Sequence, residues 1–152
     1  MNERIGPIEP VAVAPVARER WVLMFAYHFP PENAIGALRP FRLAKYLPLY
    51  GFKCHVISAA DVASRPDLPA EAVPDPFIEN PRKGLGSHFE RFIRRFLLPG
   101  VGGIQWAFRA YRAGVRFIQN HPAVEITVFS TFPPLGTHLA AWWLARRYPL
   151  VW

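Results

Sequence analysis

The stretch from Trp21 to Ser58 restricts the fold of this chain more than any other. It opens with an apolar, β-prone run, Trp21–Ala26, of the length of a buried strand. Tyr27-His28-Phe29-Pro30-Pro31 ends that strand, because two prolines supply no backbone N–H to a sheet ladder. A polar loop, Glu32-Asn33-Ala34-Ile35, leads to Gly36 and a helical pattern running to Tyr50. Gly51-Phe52 closes the helix, and Lys53–Ser58 reads as a second strand. Two strands joined through a helix lie parallel, so the unit predicts a Rossmann-like α/β sheet flanked by helices. Ligands of such sheets sit at the carboxyl ends of the strands, where the loop from His28 to Arg39 falls.

Within the first helix, Leu38, Phe41, Ala44 and Leu47 are expected near one face. Arg39, Arg42 and Lys45 take another, three residues apart. Pro40 fits the first turn, where a missing N–H costs nothing, and Pro48 helps to stop the helix. Arg42 and Lys45 read as a solvated face, whereas Arg39 lies close enough to the ligand-facing end to reach a site.

From Ala59 to Gly86 five prolines (Pro66, Pro69, Pro74, Pro76 and Pro81) interrupt both helix and sheet. A long loop is expected there, with at most an edge strand at Ala72-Val73 or Phe77-Ile78. Ser87-x-x-Glu90 is a capping box opening a further helix, in which the serine oxygen and the glutamate satisfy free amides. Phe89, Phe92, Ile93, Phe96 and Leu97 recur along one side of that helix; Arg91, Arg94 and Arg95 take the other. A basic, phenylalanine-rich helix suits a membrane interface, so Arg91, Phe92, Arg94, Arg95 and Phe96 form a candidate membrane surface. Packing of the same stripe on the domain is the alternative.

Another helix is expected over Ile104–Asn120, with Ile104, Phe108, Tyr111, Val115 and Ile118 as a core-facing stripe. Arg109, Arg112 and Arg116 form a second cationic row, and the aromatics from Trp106 to Phe117 read as core. Val124–Phe129 is a strand, and Ser130-Thr131-Phe132-Pro133-Pro134 repeats the logic of the first ligand loop. Thr137 is placed to cap a last helix reaching Tyr148, with Arg146 and Arg147 at its negative end. Leu150-Val151-Trp152 reads as the start of a further strand.

Composition narrows the function classes. With 152 residues, about half of them apolar, the chain is long enough for one domain with a real core. Its net charge of +7 points to an anionic partner: a phosphorylated ligand, a phospholipid surface or nucleic acid. The single cysteine, Cys54, excludes an internal disulfide and a multi-cysteine zinc site, and within a strand it reads as a core thiol. No clustered histidines, cysteines or carboxylates point to a metal, and no serine has a nucleophile-elbow setting. Val11-Ala12-Val13-Ala14 is too short for a signal-peptide core, and no run approaches the about 18 apolar residues of a spanning helix. A cytoplasmic location is expected, with any membrane contact peripheral at the inner face.

Two groups of residues carry a family resemblance. Phe29-Pro30-Pro31, Gly36, Arg39, the Leu43–Leu47 helix, Gly51 and His55-Val56-Ile57-Ser58 resemble the amino-terminal domain of family 4 glycosyltransferases. Ser130-Thr131-Phe132-Pro133-Pro134 followed by His138–Leu144 is a second match, in the right order, and the two cover roughly half of the chain. The resemblance implies the incomplete N-terminal half of a GT-B fold: a disordered tail over 1–19, then an acceptor-side domain over 20–152. It further implies transfer of a sugar from a nucleotide sugar to a glycan or lipid-linked acceptor, with no cofactor. The donor-binding domain of such enzymes lies outside these residues, so no activity is expected of 1–152 alone.

In that frame Gly36, Arg39 and Thr131 are candidates for contact with donor phosphate or acceptor. Glycine permits close backbone approach, a helix amino end carries partial positive charge, and arginine can bind phosphate in bidentate geometry. His28 is the titratable group of the loop and the candidate for proton transfer. Where some relatives carry a histidine after the corresponding late strand, this chain has Thr131-Phe132. A non-catalytic basic module for nucleic acid or anionic membrane is the alternative. Nucleic acid is disfavoured, because the arginines are spread over three helices and no nucleic-acid motif is present.

Overall fold

The computed structural model describes residues 18–62, 67, 69–75 and 103–152. Four strands, β1 (Arg20–Phe25), β2 (Phe52–Ser58), β3 (Ala70–Ala72) and β4 (Glu125–Ser130), form one sheet in the order β3-β2-β1-β4. Every pairing is parallel, with Val22 opposite Cys54 and Thr127. Three helices connect and cover it: α1 (Leu38–Tyr46), α2 (Ile104–Asn120) and α3 (Leu135–Arg147). Short 3₁₀ turns, Ile35–Ala37 and Leu47–Tyr50, extend α1 at both ends. The arrangement is the Rossmann-like α/β fold expected from Trp21–Ser58, with β1 between β2 and β4.

Side-chain alternation along β1 divides the core into two. Leu23 and Phe25 point to the layer of α2 and α3, where they meet Ile57, Trp106, Ala110, Val128 and Leu144. Val22, Met24 and Ala26 point to the other layer, with Phe29, Ala44, Cys54 and Val56. Leu23, Met24, Phe25 and Ala26 have no solvent exposure at all. A strand buried on both faces must be apolar throughout, which is how Val22–Ala26 reads. Burial also pushes the Cys54 thiol up to about 11, consistent with an inert core cysteine.

The edge of the sheet is short, as the proline density requires. β3 begins directly after Pro69 and overlaps the Ala72-Val73 expectation; Phe77-Ile78 lies outside the described residues. Trp106, fully buried, donates its indole N–H to the Val73 carbonyl at 2.7 Å and so ties the end of β3 to α2. Glu71 accepts from Arg116 at 2.9 Å and meets His55 Nε2 at 3.4 Å. At the opposite edge, Val151 forms a parallel bridge to Thr127, and its carbonyl accepts from Val128 N at 2.8 Å. The expected addition of Leu150–Trp152 is thus realised as a single bridge.

Three details of the helices depart from expectation. Of the expected inner face of the first helix, Ala44 is buried and Phe41 and Leu47 pack against the core, but Leu38 is 53% exposed, and Ala37 and Pro40 are buried instead. In α2, Ile104 and Phe108 face solvent, while Trp106, Ala107, Ala110, Ala113, Gly114 and Phe117 are buried. Tyr111, Val115 and Ile118 only flank that core. Between Trp106 and Phe117 the inner face is made of small residues, Ala107, Ala110, Ala113 and Gly114, because there α2 must approach both the sheet and α3. A Cβ on Gly114 would stand 3.0 Å from Phe25 Cζ and 3.2 Å from a Leu144 methyl. Finally, Thr137 lies within the first turn of α3 and is not its cap; its buried hydroxyl donates to the carbonyls of Thr131 and Pro134.

Gly136 makes the tightest approach. A Cβ there would overlap the backbone carbonyl of Gly103, which cannot yield as a flexible side chain would. Gly136→Ala is therefore expected to lose about 1–3 kcal/mol or more of stability, readable by urea unfolding; an unchanged midpoint would refute the contact. A second expectation concerns acid. Hydrogen bonding to His55, reinforced by Arg116, holds the Glu71 carboxyl below its usual value of 4.5. A depressed folded-state value contributes stability above the unfolded value and loses it as pH falls through the folded one. Glu71→Gln should flatten the acid limb of thermal stability, by a margin that shrinks with salt because the pair is partly exposed. An identical acid limb in the variant would count against it.

Candidate functional site

The carboxyl ends of β1 and β4 lie side by side, Phe25 opposite Ser130, so the loops that follow them meet. Between these loops is a cavity of about 380 Å³ lined by His28, Ala34, Ile35, Gly36, Arg39, Thr131, Phe132 and Pro133. His28, Gly36, Arg39 and Thr131 come from chain segments some ninety residues apart and share this one cavity. A larger cavity of about 480 Å³ lies beside the amino-terminal half of β4, bordered by His121, Glu125, Tyr148 and Val151. In a parallel sheet the connecting loops and helix amino ends converge at the carboxyl edge, which favours the smaller cavity for chemistry.

Each wall has a local cause. Phe29 is fully buried in the α1 layer and holds the loop down, with Glu32 N donating to its carbonyl at 3.2 Å. The chain then turns through Ile35–Ala37 into α1 with no side-chain cap and no acidic residue in the first turn. The amino end of this helical segment consequently faces the cavity uncompensated by carboxylate. Gly36 is not required there by its backbone conformation: a Cβ would make ordinary contact, 3.6 Å, with the His28 ring. Its value is the space it leaves between imidazole and backbone. Arg39 is exposed on the first turn of α1 and is the one arginine or lysine among the described residues that line the cavity.

His28 is held from two sides. Its Nδ1 lies 2.9 and 3.0 Å from the two carboxylate oxygens of Glu32, and its ring packs edge-on to Tyr27 at 5.0 Å. Tyr27 in turn donates to Asp75 at 2.6 Å. A carboxylate can only accept, so Nδ1 carries the proton and Nε2 of the neutral ring is left as an acceptor. Glu32 was not among the residues singled out from the sequence; its spacing of four from His28 is the signal that was present there.

The opposite wall is set by β4 and α3. Thr131 is buried, its N–H donating to the Phe25 carbonyl at 3.1 Å and its own carbonyl accepting from Thr137. Phe132 is 58% exposed and stacks nearly parallel, 6.0 Å between centroids, on His138. His138 Nδ1 meets Ser130 Oγ at 2.7 Å, and Trp152 Nε1 donates to the same oxygen at 2.9 Å. Ser130, Phe132 and Trp152 had no assigned role in the sequence; His138 now orders the loop that carries Thr131. Among the described residues no group of three or more histidines, cysteines or carboxylates is placed to hold a metal. No described helix is long and apolar enough to cross a membrane. Arg91, Phe92, Arg94, Arg95 and Phe96 lie outside the described residues.

What the fold and site define is a Rossmann-like α/β protein with a ligand-sized cavity at the carboxyl edge of its sheet. In comparisons with protein-family models, curated proteins and solved structures, the chain matches none of them.

The two histidines should differ in tautomer. Ser130 Oγ accepts from Trp152, and its own proton is expected to go to His138 Nδ1, leaving Nε2–H. His28 should be the reverse, protonated on Nδ1. Long-range ¹H–¹⁵N spectra of the neutral rings distinguish the two forms, and equal patterns for both would refute the assignment.

Proposed function

We propose that this chain is the acceptor-side portion of a glycosyltransferase, moving a sugar from a nucleotide sugar to a glycan or lipid-linked acceptor. The observation that carries the reading is the shared cavity of His28, Gly36, Arg39 and Thr131 at the carboxyl edge of a parallel sheet. Sugar transfer breaks the bond from the anomeric carbon to the diphosphate oxygen and forms one to the acceptor oxygen. Negative charge grows on the diphosphate, and the acceptor hydroxyl loses a proton.

Each lining group answers one of those needs. Arg39 offers a fixed cation with bidentate geometry, beside a helix amino end that carries partial positive charge. Such preorganised charge is the main source of stabilisation for a leaving anion in a site shielded from water. His28 Nε2 is an acceptor for the hydroxyl proton, and Glu32 steadies the imidazolium formed. Thr131 and Phe132 supply a polar and an apolar surface for the acceptor. In this reading the donor's base and sugar are held mainly outside these residues while its diphosphate reaches the Gly36 and Arg39 wall, and no cofactor or metal takes part. The cytoplasmic face of a membrane is the proposed location, with the basic, phenylalanine-rich sequence over 87–98 as one contact.

Nucleoside diphosphate binding tests the reading on the chain as it stands. Titration with UDP, GDP and ADP should shift the backbone amide resonances of Gly36, Arg39 and Thr131. Losing a charged hydrogen bond costs about 1.5–3 kcal/mol, so Arg39→Ala should weaken binding roughly 10- to 150-fold with the fold intact. Absence of any shift at these amides with all three nucleotides would overturn the reading.

A further inference from the structure

We propose that the outward face of α1 and its 3₁₀ extensions is a docking surface for anionic lipid bilayers. Ile35, Leu38, Leu49 and Tyr50 are 94%, 53%, 78% and 73% exposed, an unusual concentration of large apolar side chains on one short segment. They stand on α1 and its two flanking 3₁₀ turns, whose buried positions are Ala37, Pro40 and Ala44. The segment is anchored by that buried side, so the exposed side cannot rotate inward.

Charge decides the partner. Arg39, Arg42 and Lys45 are exposed on the same segment, and no carboxylate occurs in the sequence between Glu32 and Asp61. Cations interleaved with aliphatic and tyrosine side chains match the headgroup boundary of an anionic leaflet, where guanidinium and ammonium meet phosphate and apolar tips enter the acyl region. Nucleic acid would use the cations but leave Ile35, Leu38 and Leu49 in water. The inference does not rest on the transferase reading, although a bilayer docked here would lie beside the cavity, since Ile35 and Arg39 belong to both surfaces.

Cosedimentation of the full chain with phosphatidylcholine vesicles, with and without phosphatidylserine, tests this. Binding is expected only with phosphatidylserine. Removing one interfacial cation should lower partitioning about fivefold, so Arg42→Glu with Lys45→Glu should lower it at least about 25-fold. Leu38→Ser with Leu49→Ser should lower it at least about tenfold. All four positions are exposed, and circular dichroism verifies the fold. As a second measurement, an environment-sensitive dye on Leu49→Cys should shift to the blue on phosphatidylserine vesicles; Cys54 is buried and stays unlabelled. Wild-type protein that does not sediment, variants that sediment like wild type, or a dye that does not respond would each overturn the proposal. So would retention on a DNA duplex without vesicle binding, or self-association that Leu38→Ser with Leu49→Ser abolishes.

Discussion

Burial of β1 on both faces is the constraint on which the rest depends. A strand with no solvent-exposed side chain from Leu23 to Ala26 needs a helix layer on each side and a strand on each edge. Parallel neighbours meet the second need only through crossover connections, and right-handed crossovers carry the intervening helices to the two faces. Once β2 and β4 flank β1, the loops after β1 and β4 must emerge together. The cavity between His28 and Thr131 is a geometric consequence of that core.

The cavity's electrostatics follow from the same layout. Among the described residues no acidic side chain lines it, and Glu32 is turned to His28 Nδ1. The walls are stiff on one side and lightly held on the other. Thr131 is fixed by the Phe25 and Thr137 hydrogen bonds and by the close contact of Gly136 with Gly103. The His28 side rests on a half-exposed pair and on buried Phe29.

The α1 face combines two features that have separate origins. Its inner side is small because Ala37, Pro40 and Ala44 allow the helix to lie close over Val22, Met24 and Val56. Its outer side has no packing partner within the described residues and so is free to carry apolar and cationic groups together. Arg42 and Lys45, taken alone, are an ordinary solvated pair. Their neighbours Leu38 and Leu49 give the surface a chemical preference.

Much of this protein was legible in its residues. The proline pair after Ala26, the helix closed at Gly51 and the repeated loop Ser130–Pro134 determine strand direction, order and the end of the sheet where ligands gather, because these depend on local backbone rules. Gly51 indeed adopts φ 77°, a left-handed turn that other residues resist. Which side of α2 is inside was not legible, since Ile104-Phe108-Tyr111 and Trp106-Ala110-Gly114 are both apolar at helical spacing. Only the distance to Phe25 and Leu144 selects the smaller set. The Ser130–His138–Trp152 cluster and the contact of Gly136 with Gly103 were likewise decided by tertiary structure. Periodicity specifies that a face is apolar; how closely two backbones approach, and which polar groups then meet, is a property of the packed molecule alone.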